Sequence, residues 1–312
     1  MFVPRTLRNH SYTIFFAPRG RKRIFELGMQ IAQQYLSPTD QIIGLIGEAG
    51  SGKSAIVKGM FPGLELTNDD SGVNVRPLPI LDQEDEFGFF QPHTYHLDIR
   101  FESGFTNMRE LADAILLAVR RGKRVVVEHF DLIYPLLGRN ANLLVAVGEE
   151  IIVTRPTLRD SNPVELAELC RKTLPFRLMA HSAEDLVECF LSDDDLEHCI
   201  HGDIRHGFTL GFEGHKPGIN IPMVERQIRA MIEQDIPISY EDDDHVMIGD
   251  IKHRCTSPRM HVTSTGKIQN FHIEPEFFYD EIDDCYYLTA HVGEKMESFM
   301  EYRQLFEKPQ IY

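Results

Sequence analysis

At 312 residues the chain is long enough for two domains and a sizeable core. Its 42% hydrophobic and 26% charged content is ordinary for a globular protein, and no apolar run reaches the roughly 18–20 residues of a membrane span, which argues against a membrane partner. Net charge is −16 and unevenly spread: residues 1–158 hold 17 Lys and Arg against 18 Asp and Glu, residues 159–312 hold 15 against 30. Such an acidic second half repels a phosphate backbone, so tRNA contact is disfavoured there, and the basic cluster Arg19, Arg21, Lys22 and Arg23 reads as a solvated turn. Five scattered cysteines form no paired framework, and the first residues lack a signal peptide's apolar stretch, so a cytoplasmic location is expected.

Along the chain, Phe2–Phe16 alternates enough for one or two strands, and Ile24–Leu36 carries helical spacing ended by Ser37-Pro38. Gln41–Ile46 is an apolar run of buried-strand type. It feeds Gly47-Glu48-Ala49-Gly50-Ser51-Gly52-Lys53-Ser54, which satisfies G-x-x-x-x-G-K-[ST], and Ser54–Met60 is composed as a helix start. In that order the glycines let backbone N–H groups turn onto a phosphate, Lys53 reaches the outer phosphates, and the Ser54 hydroxyl binds Mg²⁺. The expected ligand is ATP with Mg²⁺; no NKxD-like purine-reading motif is evident, so nothing argues for GTP over ATP.

Thr67–Glu86 reads as a long loop, His93–Phe101 as a strand, Met108–Arg120 as an amphipathic helix and Val125–Glu128 as a buried strand ending in a carboxylate. Leu143–Val147 and Glu150–Thr154 add two strands, giving an α/β domain with a mainly parallel sheet. Glu128 stands where a carboxylate holds the Mg²⁺ shell or orients attacking water, and Asp98 is a second Mg²⁺ contact or a general base. Arg155 is expected at the surface, with a phosphate as the alternative contact.

Leu27-Gly28 and Ile31-Ala32, GEAGSGKSAIVKGM, Tyr95-His96-Leu97-Asp98 and Val127-Glu128 fall in one order. Over roughly Phe25–Pro156 this resembles the small ATPase of the bacterial tRNA threonylcarbamoyladenosine-modification system, the TsaE family. The resemblance implies that Asp98 and Glu128 serve Mg²⁺ and hydrolysis. The family's Ser-Pro-Thr switch is replaced here by Asn74–Ile80.

The polar stretch Thr157–Pro163 marks a domain boundary, dividing residues 1–158 from 159–312. Val164–Arg171 and Leu178–Leu191 read as two helices, Phe208–Phe212 as a strand, Val224–Gln234 as a helix, and Val262–Ile273 with Tyr286–His291 as a strand-rich end. His198, His201 and His206 cluster. His181 and Asp185, four apart on one helix face, can join Cys255 and His261 from a turn as a tetrahedral Zn²⁺ set. Cys255–Ile273 and Leu178–Leu191 are similar to the second additional, editing domain of threonyl- and alanyl-tRNA synthetases, over roughly Pro175–His291. That resemblance implies an α+β cleft with its four motif positions at His181, Asp185, Cys255 and His261, Asp185 standing where the family has a second helix histidine. His253 is a substitute ligand.

The leading expectation is an ATPase that drives or gates an editing-like domain in tRNA or amino-acid-related metabolism. The alternatives are a kinase acting on a small nucleoside-like hydroxyl acceptor, a metal-dependent trans-editing hydrolase of mischarged tRNA, and a nucleotide-bound module serving a protein partner. An amino-acid-like ligand suits the second domain in the first reading.

Overall fold

The computed structural model describes residues 12–66, 80, 93–156 and 161–293. The expected long loop and the Asn74–Ile80 stretch lie outside the described residues, except Ile80. The fold is mixed α/β, and packing divides it into two compact units. One gathers the described residues up to Leu178 with Tyr240–Met247 and Lys252–Met260. The other gathers Met179–Ser239, Ile248–Ile251 and the described residues from His261. No helix among the described residues is long and apolar enough to cross a membrane.

The first unit is built on a six-stranded sheet: β1 (Tyr12–Phe16), β2 (Ile42–Ile46), β3 (Thr94–Asp98), β4 (Arg124–Glu128), β5 (Leu143–Val147) and β6 (Glu150–Thr154), in spatial order β1-β6-β5-β2-β4-β3. β5, β2, β4 and β3 run parallel; β6 is antiparallel to β5, and the edge strand β1 is antiparallel to β6. Every residue of β2 is buried, as expected of a strand covered on both faces. The helices are α1 (Arg21–Tyr35), α2 (Lys53–Met60), α3 (Ile99–Glu102), α4 (Met108–Arg120) and α5 (Phe130–Leu137). Of the basic cluster, Arg21, Lys22 and Arg23 open α1, where Arg21 and Lys22 are exposed, while Arg19 just before it is buried.

α1 lies close along α2 because both are notched. A Cβ on Gly28 would sit 2.5 Å from the Ile56 carbonyl oxygen, and one on Gly59 would sit 2.1 Å from that of Phe25. Ile24, Leu27 and Ile31 of α1 then share a core with Ile56, Val57 and Met60 of α2 and with Ile43 and Leu45 of β2. This packing fixes where α2 begins.

Arg155 is neither at the surface nor near a phosphate site. Its guanidinium is 3% exposed and grips Asp40 bidentately, with both N–H···O distances 2.8 Å. It also donates to the Asn142 carbonyl at 3.3 Å and to the Tyr35 carbonyl. The reason is local: Arg155 directly follows β6, where the chain passes over the turn that leads into β2.

One helix, α6 (Pro163–Glu188), replaces the two expected and runs through the polar stretch's end at Pro163. Asn162 caps it, its side-chain oxygen accepting from the Val164 N–H at 2.9 Å. Pro175 removes one helical hydrogen bond but does not end the helix. Buried Leu166, Ala167 and Cys170 before it, and Met179, Ala180 and Ala183 after it, hold both halves in place.

The second unit is α+β in composition. β7 (Ile200–Ile204), β8 (Gly207–Glu213), β12 (His272–Ile273), β13 (Phe278–Asp280) and β14 (Cys285–His291) make an antiparallel sheet in order β12-β14-β8-β7, with β13 also on β14. Phe208, Leu210 and Phe212 alternate on one face of β8 and are fully buried. α7 (Asp193–Glu197) opens with a capping box on Ser192, and α8 (Ile221–Glu233) buries Ile221, Val224 and Ile228. A further three-stranded sheet, β11 (Ile251–Arg254), β10 (His245–Ile248) and β9 (Ile238–Asp242), has most of its residues in the first unit. The expected strand over Val262–Ile273 is mostly turn. Thr265 fixes it, its hydroxyl donating to the Met231 carbonyl at 2.6 Å and accepting from the Ile236 N–H at 2.8 Å.

Candidate functional site

Gly47–Ser54 links β2 to α2, with Lys53 opening the helix. Gly52 is its N-cap at φ 99°, a left-handed backbone that suits glycine, and a Cβ there would fall 2.2 Å from Ile24 Cδ1. The turn is braced from outside. Arg177 of α6, itself buried, donates to the Ser51 carbonyl at 2.9 Å and to the Pro18 carbonyl at 2.8 Å. The Ser51 hydroxyl is fully buried and has no hydrogen-bond partner among the described residues.

Lys53 is 4% exposed, and its Nζ donates to the Glu48 carbonyl at 2.8 Å. Burial lowers its pKa, and the carboxylates of Glu128 and Asp98 work against that shift. Those two acids end neighbouring parallel strands in direct register, Asp98 on β3 opposite Glu128 on β4. They therefore stand at the carboxyl edge of the sheet, where ligands of open α/β sheets bind. Asp98 also caps α3, accepting from the Phe101 N–H at 3.1 Å.

Glu128 is 2% exposed, and burial alone would push its pKa up. Hydrogen bonds from His96 and Ser54 and the charges of His96 and Lys53 outweigh burial and hold it below the ordinary glutamate value. The His96 Nε2 to Glu128 Oε1 distance is 3.2 Å. Glu128 is thus an ionised buried carboxylate hydrogen-bonded to Ser54 in the first turn of α2. Ser54, Asp98 and Glu128 offer hard oxygen donors of the kind Mg²⁺ takes.

Five further groups border this centre, and none was singled out from the sequence. His96 precedes Asp98 by two, on the same strand face, and His129 directly follows Glu128 at φ 56°. Burial, then the charge of Lys53, lowers the His129 pKa to about 4, so it is neutral at pH 7. Arg171 Nε and Arg100 lie 3.2 and 3.7 Å from the two carboxylate oxygens of Glu48. Arg177 is the fifth. Adjacency of His129 to a strand-end acid was a usable signal, whereas nothing in residue spacing pointed to Arg171 or Arg177.

In the second unit, His181 and Asp185 lie one turn apart on α6, and His261 reaches the same carboxylate. His181 Nε2 is 3.8 Å from Asp185 Oδ1, His261 Nε2 is 3.5 Å from Asp185 Oδ2, and all three side chains are buried. The two imidazoles stack with centroids 4.2 Å apart. His261 Nδ1 is 3.2 Å from the Ser182 hydroxyl, which accepts from the Val262 N–H at 3.0 Å. A proton on Nδ1 donated to Ser182 leaves Nε2 bare on the side of Asp185, the form a metal requires. Two imidazoles and a carboxylate fit Zn²⁺. Cys255 belongs to the Lys252–Met260 segment of the first unit, where it is buried and its N–H donates to the Asp244 carbonyl at 2.8 Å. Of the clustered histidines, His201 sits on β7 with Nδ1 3.2 Å from Glu184 Oε1 and 3.5 Å from Glu188 Oε1, and His206 is buried after the strand.

No protein-family model matches the chain, and no curated protein matches it.

Proposed function

We propose that the chain is a Mg²⁺-dependent ATPase whose second unit is a zinc-holding, synthetase-editing-like domain, acting in tRNA or amino-acid-related metabolism. The observation that carries the first part is the convergence of Lys53, the Ser54–Glu128 hydrogen bond and the register pair Asp98–Glu128 at one end of the parallel strands. Lys53 and the N–H groups of the turn bind the phosphate chain, a task the positive end of α2 favours. Glu128, kept ionised by His96, Ser54 and Lys53, orients the attacking water and accepts its proton. Asp98 stands in register beside it, available to the same shell. Mg²⁺, held by Ser54, Asp98 and Glu128, would neutralise charge developing on the transferred phosphoryl group. In the second unit His181, Asp185 and His261 would hold Zn²⁺.

The test is ATP turnover with Mg²⁺ alongside elemental analysis. Lys53→Ala is expected to abolish turnover, and Glu128→Gln to lower kcat by about 10²–10⁴-fold while ATP still binds. Zinc is expected near one equivalent in the wild type and to be lost in His261→Ala. Tight ATP binding with no turnover would overturn the ATPase reading, and zinc-free protein would overturn the metal reading.

A further inference from the structure

A cavity of about 530 Å³ opens beside the glycine-rich turn, within the range of small-molecule sites. Gly50 through Ala55 line it, but Glu48, Asp98 and Glu128 do not. Lys53 and Ser54 therefore border both the cavity and the acids. A phosphate chain bound on the turn has two ends. The end that is cleaved must meet the acids, so the end that carries the nucleoside must enter the cavity.

The walls suit that occupant. The start of α1 contributes Arg21 and Phe25, and the far wall is Ser257–Met260, which comes from the Lys252–Met260 segment of the same compact unit. The segment is tied down. The Gly20 N–H donates to the Ser257 hydroxyl at 3.0 Å, and Arg21 pairs with Asp243 at 3.0 Å. Tyr240 also donates its hydroxyl to Asp243 at 3.0 Å, and the Arg259 guanidinium lies over the Tyr240 ring at 4.9 Å. That stack orders the guanidinium plane of a cavity-lining arginine before any ligand arrives.

We propose that this cavity is the nucleoside half of the triphosphate site, with Arg259 stacking on the base between an apolar floor at Phe25 and Met260. The inference rests on the nucleotide reading of the turn and adds to it a specificity element from a segment about 200 residues further along the chain.

The test is equilibrium binding of Mg²⁺-ATP and of inorganic tripolyphosphate with Mg²⁺, each to the wild type, Arg259→Ala, Arg259→Lys and Lys53→Ala. The wild type is expected to bind ATP at least about tenfold tighter than tripolyphosphate. Arg259→Ala should weaken ATP by about tenfold and leave tripolyphosphate within about twofold, which also reports that the variant is folded. Arg259→Lys should restore less than half of the loss, because an ammonium has no plane to stack. Equal wild-type affinity for the two ligands, or equal loss of both in Arg259→Ala, would overturn the proposal. If neither ligand binds the wild type, or Lys53→Ala binds both unchanged, the triphosphate reading itself falls instead.

Discussion

Replacing Asp40 by Ala tests the energetics beneath the site. Asp40 and Arg155 are 1% and 3% exposed, and two 2.8 Å hydrogen bonds join them. Asp40 Oδ2 also accepts from the Ser37 N–H at 2.7 Å, ordering the turn just before β2. Removing one partner of a buried ion pair leaves the other charge desolvated, which costs about 3–5 kcal/mol. Arg155 keeps the carbonyls of Asn142 and Tyr35, so the lower end applies, about 3 kcal/mol. With a urea slope of about 2 kcal/mol/M, the unfolding midpoint followed by circular dichroism should fall by about 1.5 M. The double variant Asp40→Leu/Arg155→Met should regain most of that loss, since an apolar pair carries no buried charge. A shift below about 0.5 M for Asp40→Ala, or a double variant no better than the single one, would refute the reasoning.

Two further outcomes follow from the same geometry. The His129 pKa is depressed to about 4, below its unfolded value, so its contribution is present above pH ~6.5 and is lost as pH falls through about 4. His129→Asn, which accepts the left-handed backbone, should flatten the fall in stability across that window, and urea midpoints at several pH values measure it; an unchanged slope would discount His129. Gly59→Ala places a methyl 2.1 Å from a backbone oxygen, which no rotamer relieves, so α1 and α2 must part. Destabilisation of about 1–3 kcal/mol with weaker Mg²⁺-ATP binding is expected by melting and titration, and an unaltered melting temperature would contradict the close-packing argument.

Most of the first unit's sheet was legible because its strands are short apolar runs that bury both faces, as in Ile42–Ile46 and Val125–Val127. Glu128 was read at a strand end, whereas Asp98 was expected inside a strand running on to Phe101; the helix that starts at Ile99 makes Asp98 the end of β3 and sets the two acids in register. Arg155 was misread because a lone arginine after a strand says nothing about its partner, and Asp40 lies 115 residues away. α6 was read as two segments, Val164–Arg171 and Leu178–Leu191; buried residues on both sides of Pro175 hold them as one helix despite the missing hydrogen bond. β7, β9, β10, β11 and β13 went unread, being only three to five residues long. The turn at Thr265 competes with a strand through a single hydroxyl, which β-propensity cannot register. His181 and Asp185 were found by helical spacing, while the approach of His261 depended on where that turn returns the chain.

The first unit is assembled from separated stretches, and this has a consequence for biosynthesis. A chain made from its N-terminus has the glycine-rich turn early and both sheet acids by residue 128, but the Ser257–Met260 wall only after most of the protein has been made. β1 likewise waits for Thr154 before it can pair. Domains generally fold as units during synthesis, and long-range pairings delay the last steps. A nascent chain stopped after Leu178 would therefore carry the turn and the acids without the wall that completes the cavity, so its maturation is timed by the second half of translation.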